Sequence, residues 1–170
     1  MLVARYTVPA HRTAYLLGAG DEADDVVQES LVKAFRQLSR FRIGEPFAPW
    51  LLRIVANETK NLNRSRRRRA ALALRLSALE GAPAPVAGGT GPAGEALAKE
   101  RRGVLLKLVD TLPDKERQAV VCRYFLELSE TETAQVLGWP LGSVKSRTFR
   151  ALNRLRQHVG GPGTTWEASG

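Results

Sequence analysis

One cysteine, two histidines and an aromatic share of only 6% mark this 170-residue chain, and each shortage excludes something. A lone Cys122 rules out an internal disulfide and a zinc site built on several cysteines. It lies in an apolar segment and reads as a small core residue. His11 and His158 are far apart and have no ligand spacing around them, so no metal is expected. There is no glycine-rich phosphate loop, and carboxylates cluster only near Asp21, so nothing suggests a catalyst or a cofactor. Apolar runs fall well short of the roughly eighteen residues that span a bilayer, which argues against membrane insertion. The start of the chain lacks the basic, apolar and small-residue segments of an export signal, so a cytoplasmic protein is expected. No alternating strand pattern of useful length and no internal repeat is found.

What is abundant is positive charge. Lys and Arg number 26 against 17 acids, for a net charge of +9 and a pI near 10.4. This balance points to nucleic acid, with a basic membrane-surface protein the competitor on charge alone. Arginine outnumbers lysine 20 to 6. That suits bidentate contacts to phosphate and guanine, although a GC-rich genome gives the same bias. A hydrophobic share of 44% is enough for one domain or two small ones with modest cores.

The most informative stretch runs from Leu128 to Leu155. Ser129 and Glu132 have capping-box spacing, so a helix is expected to start there. Ala134 and Leu137 supply an inward face, Gly138 suits a left-handed terminator, and Pro140 stops continuation. After Gly142 and Ser143, a second helical period places Val144, Thr148, Ala151, Leu152, Leu155 and Val159 inward. Two helices about a glycine turn make a helix-turn-helix, whose second helix enters the DNA major groove. Lys145, Ser146, Phe149, Arg150 and Asn153 face outward, and residues 141–159 hold five bases and no acid. A solvated helix usually mixes charge signs, so one-sided basicity favours a polyanion over a plain helical hairpin.

The N-terminal half is also helical in pattern. Pro9 predicts a short helix from about Pro9 to Leu17, closed by Gly18-Ala19-Gly20 and preceded by a loose end. Asp21–Leu38 reads as a helix capped by Asp21, with Ala23, Val27, Leu31, Ala34, Phe35 and Leu38 inward. Five acids and no base occupy residues 21–29. They either compensate the helix dipole or face a basic protein partner. Residues 40–49 form a loop. Trp50–Arg69 resumes helical spacing on Leu51, Ile54, Val55, Glu58 and Leu62, and Ala70–Leu79 could extend it. Trp50 reads as core. From Ser30 to Glu80 there are twelve bases and three acids, a net of +9. With Asn57, Lys60 and Asn61 on the same helix, the arginine run continues a phosphate-tracking face.

Residues 81–94, rich in Gly, Pro and Ala, read as a flexible linker between two domains. Beyond it, Glu95–Leu112 predicts a helix with Leu97, Val104, Leu105, Leu108 and Val109 inward. Pro113 falls in the first turn of the next helix, which carries Ala119, Val120, Cys122, Tyr124 and Phe125 and packs on the helix-turn-helix. The expected fold is therefore all-α: an N-terminal helical domain over 1–80, the linker, a four-helix C-terminal domain over 95–159, and a tail over 160–170.

Laid out in order, three passages resemble a bacterial sigma factor of the extracytoplasmic-function group, group 4 of the sigma-70 family. They are DEADDVVQESLVKAFRQLSRF, FAPWLLRIVANETKNLNRSRRR and LPDKERQAVVCRYFLELSETETAQVLGWPLGSVKSRTFRALNRLR. The resemblance implies a specificity subunit that brings core RNA polymerase to promoters, reads their −35 and −10 elements and opens the strands. It implies that Asp24, Asp25, Gln28 and Glu29, with Arg36 nearby, contact the polymerase clamp helices. Arg42, Phe47, Arg53, Asn57, Lys60, Asn61 and Arg64 match the segment that captures single-stranded −10 non-template DNA. Lys145, Ser146, Phe149 and Arg150 match the face that reads double-stranded −35 DNA, with Arg147 and Arg154 on phosphate and Ser143 a further −35 DNA contact. The linker would thread the RNA-exit path, and an anti-sigma factor is a further implied partner. The chain departs from the family in having Pro9 where a longer first helix usually begins. A self-sufficient helix-turn-helix regulator is the alternative, and it would bind operators without polymerase.

Overall fold

The structure, a computed structural model, describes residues 2–80 and 96–159, and these form helices and turns without a strand. The chain divides into two compact units after Gly94. The predicted linker over 81–94, the side chain of Leu97 and the tail over 160–170 lie outside the described residues.

The first unit packs α1 (Leu2–Ala14), α2 (Ala23–Gln37) and α3 (Phe47–Glu80) around a core of small residues. Ala10, Ala14, Ala19, Ala23, Val26, Val27 and Val55 are buried together, with Leu31 and Leu62 packed against them. Small side chains let helix axes approach closely. Three buried hydroxyls satisfy themselves within their own helices. Thr13 donates to Pro9 O at 2.8 Å, Ser30 to Val26 O at 2.6 Å and Thr59 to Val55 O at 2.9 Å.

The first helix is longer than Pro9 implied, because α1 starts at Leu2 and runs through the proline. Ala10, Thr13 and Ala14, all at 0% exposure, pack immediately beyond Pro9. Burial of that face outweighs the lost N–H donor, and the carbonyl deprived of it belongs to exposed Arg5. A π-helical turn (Tyr15–Ala19) and a 3₁₀ turn (Gly20–Glu22) then join α1 to α2, with Gly18 at φ 106° and Gly20 at φ 56°. Asp21 lies in the 3₁₀ turn, and no side chain caps α2.

The inward stripe of α2 also differs from expectation. Val26 and Ser30 join Ala23, Val27 and Ala34 in the interior, whereas Phe35 is 79% and Leu38 48% exposed. On α3, Leu51 and Val55 are buried as expected, and Leu52, Ala56 and Thr59 join them. The helix continues to Glu80, but Leu72, Leu74 and Leu76 are all exposed.

The second unit consists of α4 (Ala96–Asp110), α5 (Asp114–Val120), α6 (Glu130–Leu137) and α7 (Leu141–Val159). Its buried residues include Val109, Leu112, Ala119, Val120, Val121, Cys122, Val136, Val144 and Ala151. Val104 and Leu105 are each 54% exposed, contrary to the inward placement expected of them, and Tyr124 is 53% exposed. Pro113 caps α5 from outside, its carbonyl accepting the Arg117 N–H at 2.9 Å. A π-helical turn (Val121–Phe125) ends that segment. Thr133 and Val136 carry the deepest burial on α6, while Ala134 and Leu137 are half-buried. Val159 at the end of α7 is exposed.

Candidate nucleic-acid interface

The helix-turn-helix forms by the local rules its sequence obeys. Ser129 Oγ accepts the Glu132 N–H at 3.1 Å, and the Glu132 carboxylate accepts the Ser129 N–H at 2.8 Å. This reciprocal pair satisfies two of the donors that a helix start leaves free. Gly138 ends α6 at φ 67°, and the Trp139 N–H closes the turn on Ala134 O at 3.0 Å. The carbonyl of Pro140 then accepts from Ser143 at 2.9 Å and Val144 at 3.2 Å. The second helix consequently starts at Leu141, three residues before Val144.

Val144 and Ala151 anchor α7 at 0% exposure, which turns Lys145, Ser146, Phe149 and Arg150 outward. Phe149 stands 64% exposed among basic side chains. Arg150 Nε donates to Ser146 O at 3.3 Å, and Ser146 Oγ to Ser143 O at 3.3 Å. Lys145 lies 3.7 Å from Glu130. Arg147 is half-buried, its guanidinium carbon 4.1 Å from the centre of the Trp139 ring. Arg154 reaches inward to Glu116 at 2.9 Å, where that carboxylate is only 8% exposed. Arg154 thus already has a partner within the fold, which its place in a basic helix did not disclose.

In the first unit, Arg53, Asn57, Lys60, Asn61 and Arg64 are all exposed, at spacings that put them along one side of α3. Phe47 is half-buried in an aromatic group, 5.1 Å from Tyr6, 5.5 Å from Phe41 and 5.3 Å from Trp50 between ring centres. Phe41 and Trp50 complete the group at 5.1 Å. Offset and edge-on packing of this kind holds the 41–46 loop against the start of α3. Within that loop Arg42 lies 3.9 Å from Glu45, Gly44 takes φ 103°, and Ile43 is fully exposed.

The arginine run does not act as one body. Arg64, Arg67, Arg68 and Arg69 are exposed, but Arg66 turns back to the α1–α2 connection. It donates to Gly18 O at 2.8 Å, to Ala19 O at 2.7 Å and through Nε to Glu22 at 2.7 Å, and its Nη2 also binds that carboxylate. Asn63 adds a bond to Leu17 O at 3.1 Å. Any side chain at Gly18 would place its Cβ 3.0 Å from Asn63 Nδ2, so both the close approach and the positive φ call for glycine there.

The acidic helix presents a different chemistry. Asp24, Asp25, Gln28, Glu29 and Arg36 are exposed on α2. Asp24 lies 3.4 Å from His11 Nε2. Asp25, Gln28, Glu29, Val32, Phe35 and Arg36 fall on one helical side, so an acidic end runs into an apolar one. Val32 and Phe35 are both exposed; periodicity puts Phe35 inward, and it gives Val32 no role. Phe35 and Leu38 line an apolar hollow of about 220 Å³ with Tyr6, Leu31, Phe47 and Leu51. Lys33 links the helices, 2.6 Å from Glu58 on α3 and 3.7 Å from Glu29 on α2. Its hydrogen bond to Glu58 holds the ammonium above the ordinary lysine range.

The first helical unit and the helix-turn-helix unit both carry exposed basic faces. The Sigma-70 region 2 family matches residues 2–69, and the Sigma-70, region 4 family matches residues 102–155. The chain is 35% identical over 167 residues to the ECF RNA polymerase sigma-E factor of Salmonella typhimurium strain LT2, covering 94% of this chain and 85% of that one. It is 31% identical over 147 residues to ECF RNA polymerase sigma factor SigW of Bacillus subtilis, covering 85% and 79%. Among solved structures, the sigma factor RpoE in complex with the anti-sigma factor NepR from Bartonella quintana superposes with a TM-score of 0.70 at 25% identity, covering 93% and 94%. CnrH, solved with the cytosolic domain of CnrY, superposes at 0.65 and 25%, covering 93% and 84%. The chain belongs to the extracytoplasmic-function sigma factors of the sigma-70 family. It therefore belongs to the proteins that direct RNA polymerase to particular promoters.

Proposed function

We propose that the chain is a non-catalytic specificity subunit that docks core RNA polymerase through α2 and grips promoter DNA with α3 and α7. The observation that carries this reading is the separation of chemistries. Asp24, Asp25, Gln28 and Glu29 form an acidic surface beside exposed Phe35, whereas α7 holds five bases and no acid. DNA is repelled by the first surface and attracted by the second, so the two serve different partners. On α2 the acids would meet basic polymerase groups, with Arg36 at the rim and Phe35 seated in an apolar recess of the partner.

On α3, the amides of Asn57 and Asn61 flanked by Arg53, Lys60 and Arg64 suit an unstacked −10 base and its phosphates. Arg42 stands on the loop that precedes α3, and Phe47 serves by holding that loop in place. On α7, Lys145, Ser146, Phe149 and Arg150 would reach base edges in the −35 major groove, with Ser143 and Arg147 towards the backbone. Arg154 takes a phosphate in this scheme only by sharing itself with Glu116. The domain limits 1–80 and 95–159 belong to the same proposal, as does an anti-sigma factor, the partner type solved with RpoE of Bartonella quintana.

Two weak DNA grips on one chain gain affinity when a scaffold fixes their spacing, so polymerase dependence is the decisive property. Run-off transcription with core polymerase and a panel of promoter fragments tests it. Specific initiation that requires this chain is the expected result. Tight operator binding without polymerase, together with no initiation in its presence, would overturn the reading in favour of a self-sufficient regulator.

A further inference from the structure

We propose that Trp139 is a positioning residue for DNA binding, holding Arg147 in the pose from which it grips a backbone phosphate of the −35 duplex. The inference rests on the reading that α7 enters the DNA groove. Trp139 stands in the turn between the two helices, where the left-handed Gly138 and the bond from its own N–H to Ala134 O at 3.0 Å fix its backbone. Arg147 lies two turns along in sequence, on α7, with its guanidinium carbon 4.1 Å from the indole centre. That distance is well within cation–π range, and tryptophan is the best aromatic partner for it.

The chemistry of this contact differs from that of the other basic residues on α7. An ion pair uses the N–H donors that a phosphate would need. Lys145 lies 3.7 Å from Glu130, and Arg154 lies 2.9 Å from Glu116, so in each case a carboxylate competes with a phosphate. A stacked ring instead occupies the guanidinium face and leaves the in-plane donors free. Among the described residues, Arg147 makes no hydrogen bond and no ion pair. Its orientation is thus supplied without loss of charge or donors. Part of the entropy of ordering a long side chain is met on folding and no longer opposes binding.

The test uses the full-length chain assembled with core polymerase and measures competition binding to a duplex carrying the −35 element, at two salt concentrations. Trp139→Leu is expected to weaken binding two- to fivefold, the strength of an exposed cation–π contact. Trp139→Phe should lose less, because a weaker ring remains. Arg147→Ala should weaken binding further and lower the salt slope by about one. In the Arg147→Ala background, Trp139→Leu should add nothing. Unchanged melting temperature and core-polymerase affinity establish that the variants fold. Should Trp139→Leu melt early, Trp139→Phe and its double variant with Arg147→Ala carry the same comparison. Two outcomes overturn the proposal: wild-type binding by both Trp139 variants while Arg147→Ala is weakened, or an equal loss from Trp139→Leu with and without Arg147. If the unmodified holoenzyme ignores the −35 duplex, the DNA reading of α7 falls and this proposal falls with it. That result is distinct, because no member of the series then binds.

Discussion

Neighbouring arginines of one run have separate tasks, and side-chain identity alone does not assign them. Arg64 points to solvent beside Asn61, whereas Arg66 ties α3 to the turn before α2 through two carbonyls and Glu22. Arg66 and Glu22 are both partly exposed, so the ion pair counts for little and the bonds to backbone carbonyls count for more. Arg66→Ala is expected to cost about 1–3 kcal/mol, read as earlier thermal unfolding of the first unit, and to leave −35 duplex binding intact. Arg150→Ala should do the opposite. A base-reading arginine on an exposed face costs about 1–3 kcal/mol of DNA affinity and relaxes preference at one position, with the melting temperature held. Binding titrations on a set of single-base variants of the −35 element measure both effects. Cys122 makes a third test. Burial at 0% exposure pushes its thiol up to about 12, so the nucleophilic thiolate is scarce at ordinary pH. Alkylation at pH 8 should be negligible in the folded protein and rapid in denaturant, as followed by mass spectrometry.

At the scale of elements, the features legible in advance are those set by neighbours in sequence. Ser129 and Glu132 close their capping box, Gly138 takes the left-handed conformation, and Pro140 separates two helices. Each depends on residues within about four positions. Ser129→Ala removes one half of the box and should destabilise the second unit by about 1 kcal/mol in urea unfolding. Sequence reasoning went astray where a stripe of apolar residues was wider than the arc that a neighbour covers. Val26, Val27, Leu31, Val32 and Phe35 are all large and apolar, yet only part of that arc meets α1 and α3. Periodicity places Phe35, Leu38, Val104 and Leu105 inward, and periodicity marks a face without naming what lies against it. The helix runs through Pro9 for a related reason. Its local penalty was visible, but the packing of Ala10, Thr13 and Ala14 that outweighs it was not.

At the scale of the molecule, acidic and basic surfaces lie on different helices of one small unit, joined through Lys33 between Glu29 and Glu58. Asp25→Ala combined with Gln28→Ala should lower affinity for core polymerase at least tenfold, a loss of about 1.4 kcal/mol or more. Binding of −35 DNA should be unaffected. Fluorescence titration with core enzyme and with duplex DNA separates the two effects, and equal loss of both would indicate misfolding instead.

The sequence by itself determined the helical class, the division near the Gly- and Pro-rich stretch, the helix-turn-helix and the charge that selects nucleic acid. All of these follow from composition or from contacts a few residues apart. Only the tertiary structure decided that Arg66 and Arg154 are held within the fold, by partners 44 and 38 positions earlier, Glu22 and Glu116. It alone turned Phe35 outward and set the Trp139 ring against Arg147. Side-chain pairing across a fold depends on distances that close only when helices pack, and no local pattern encodes them.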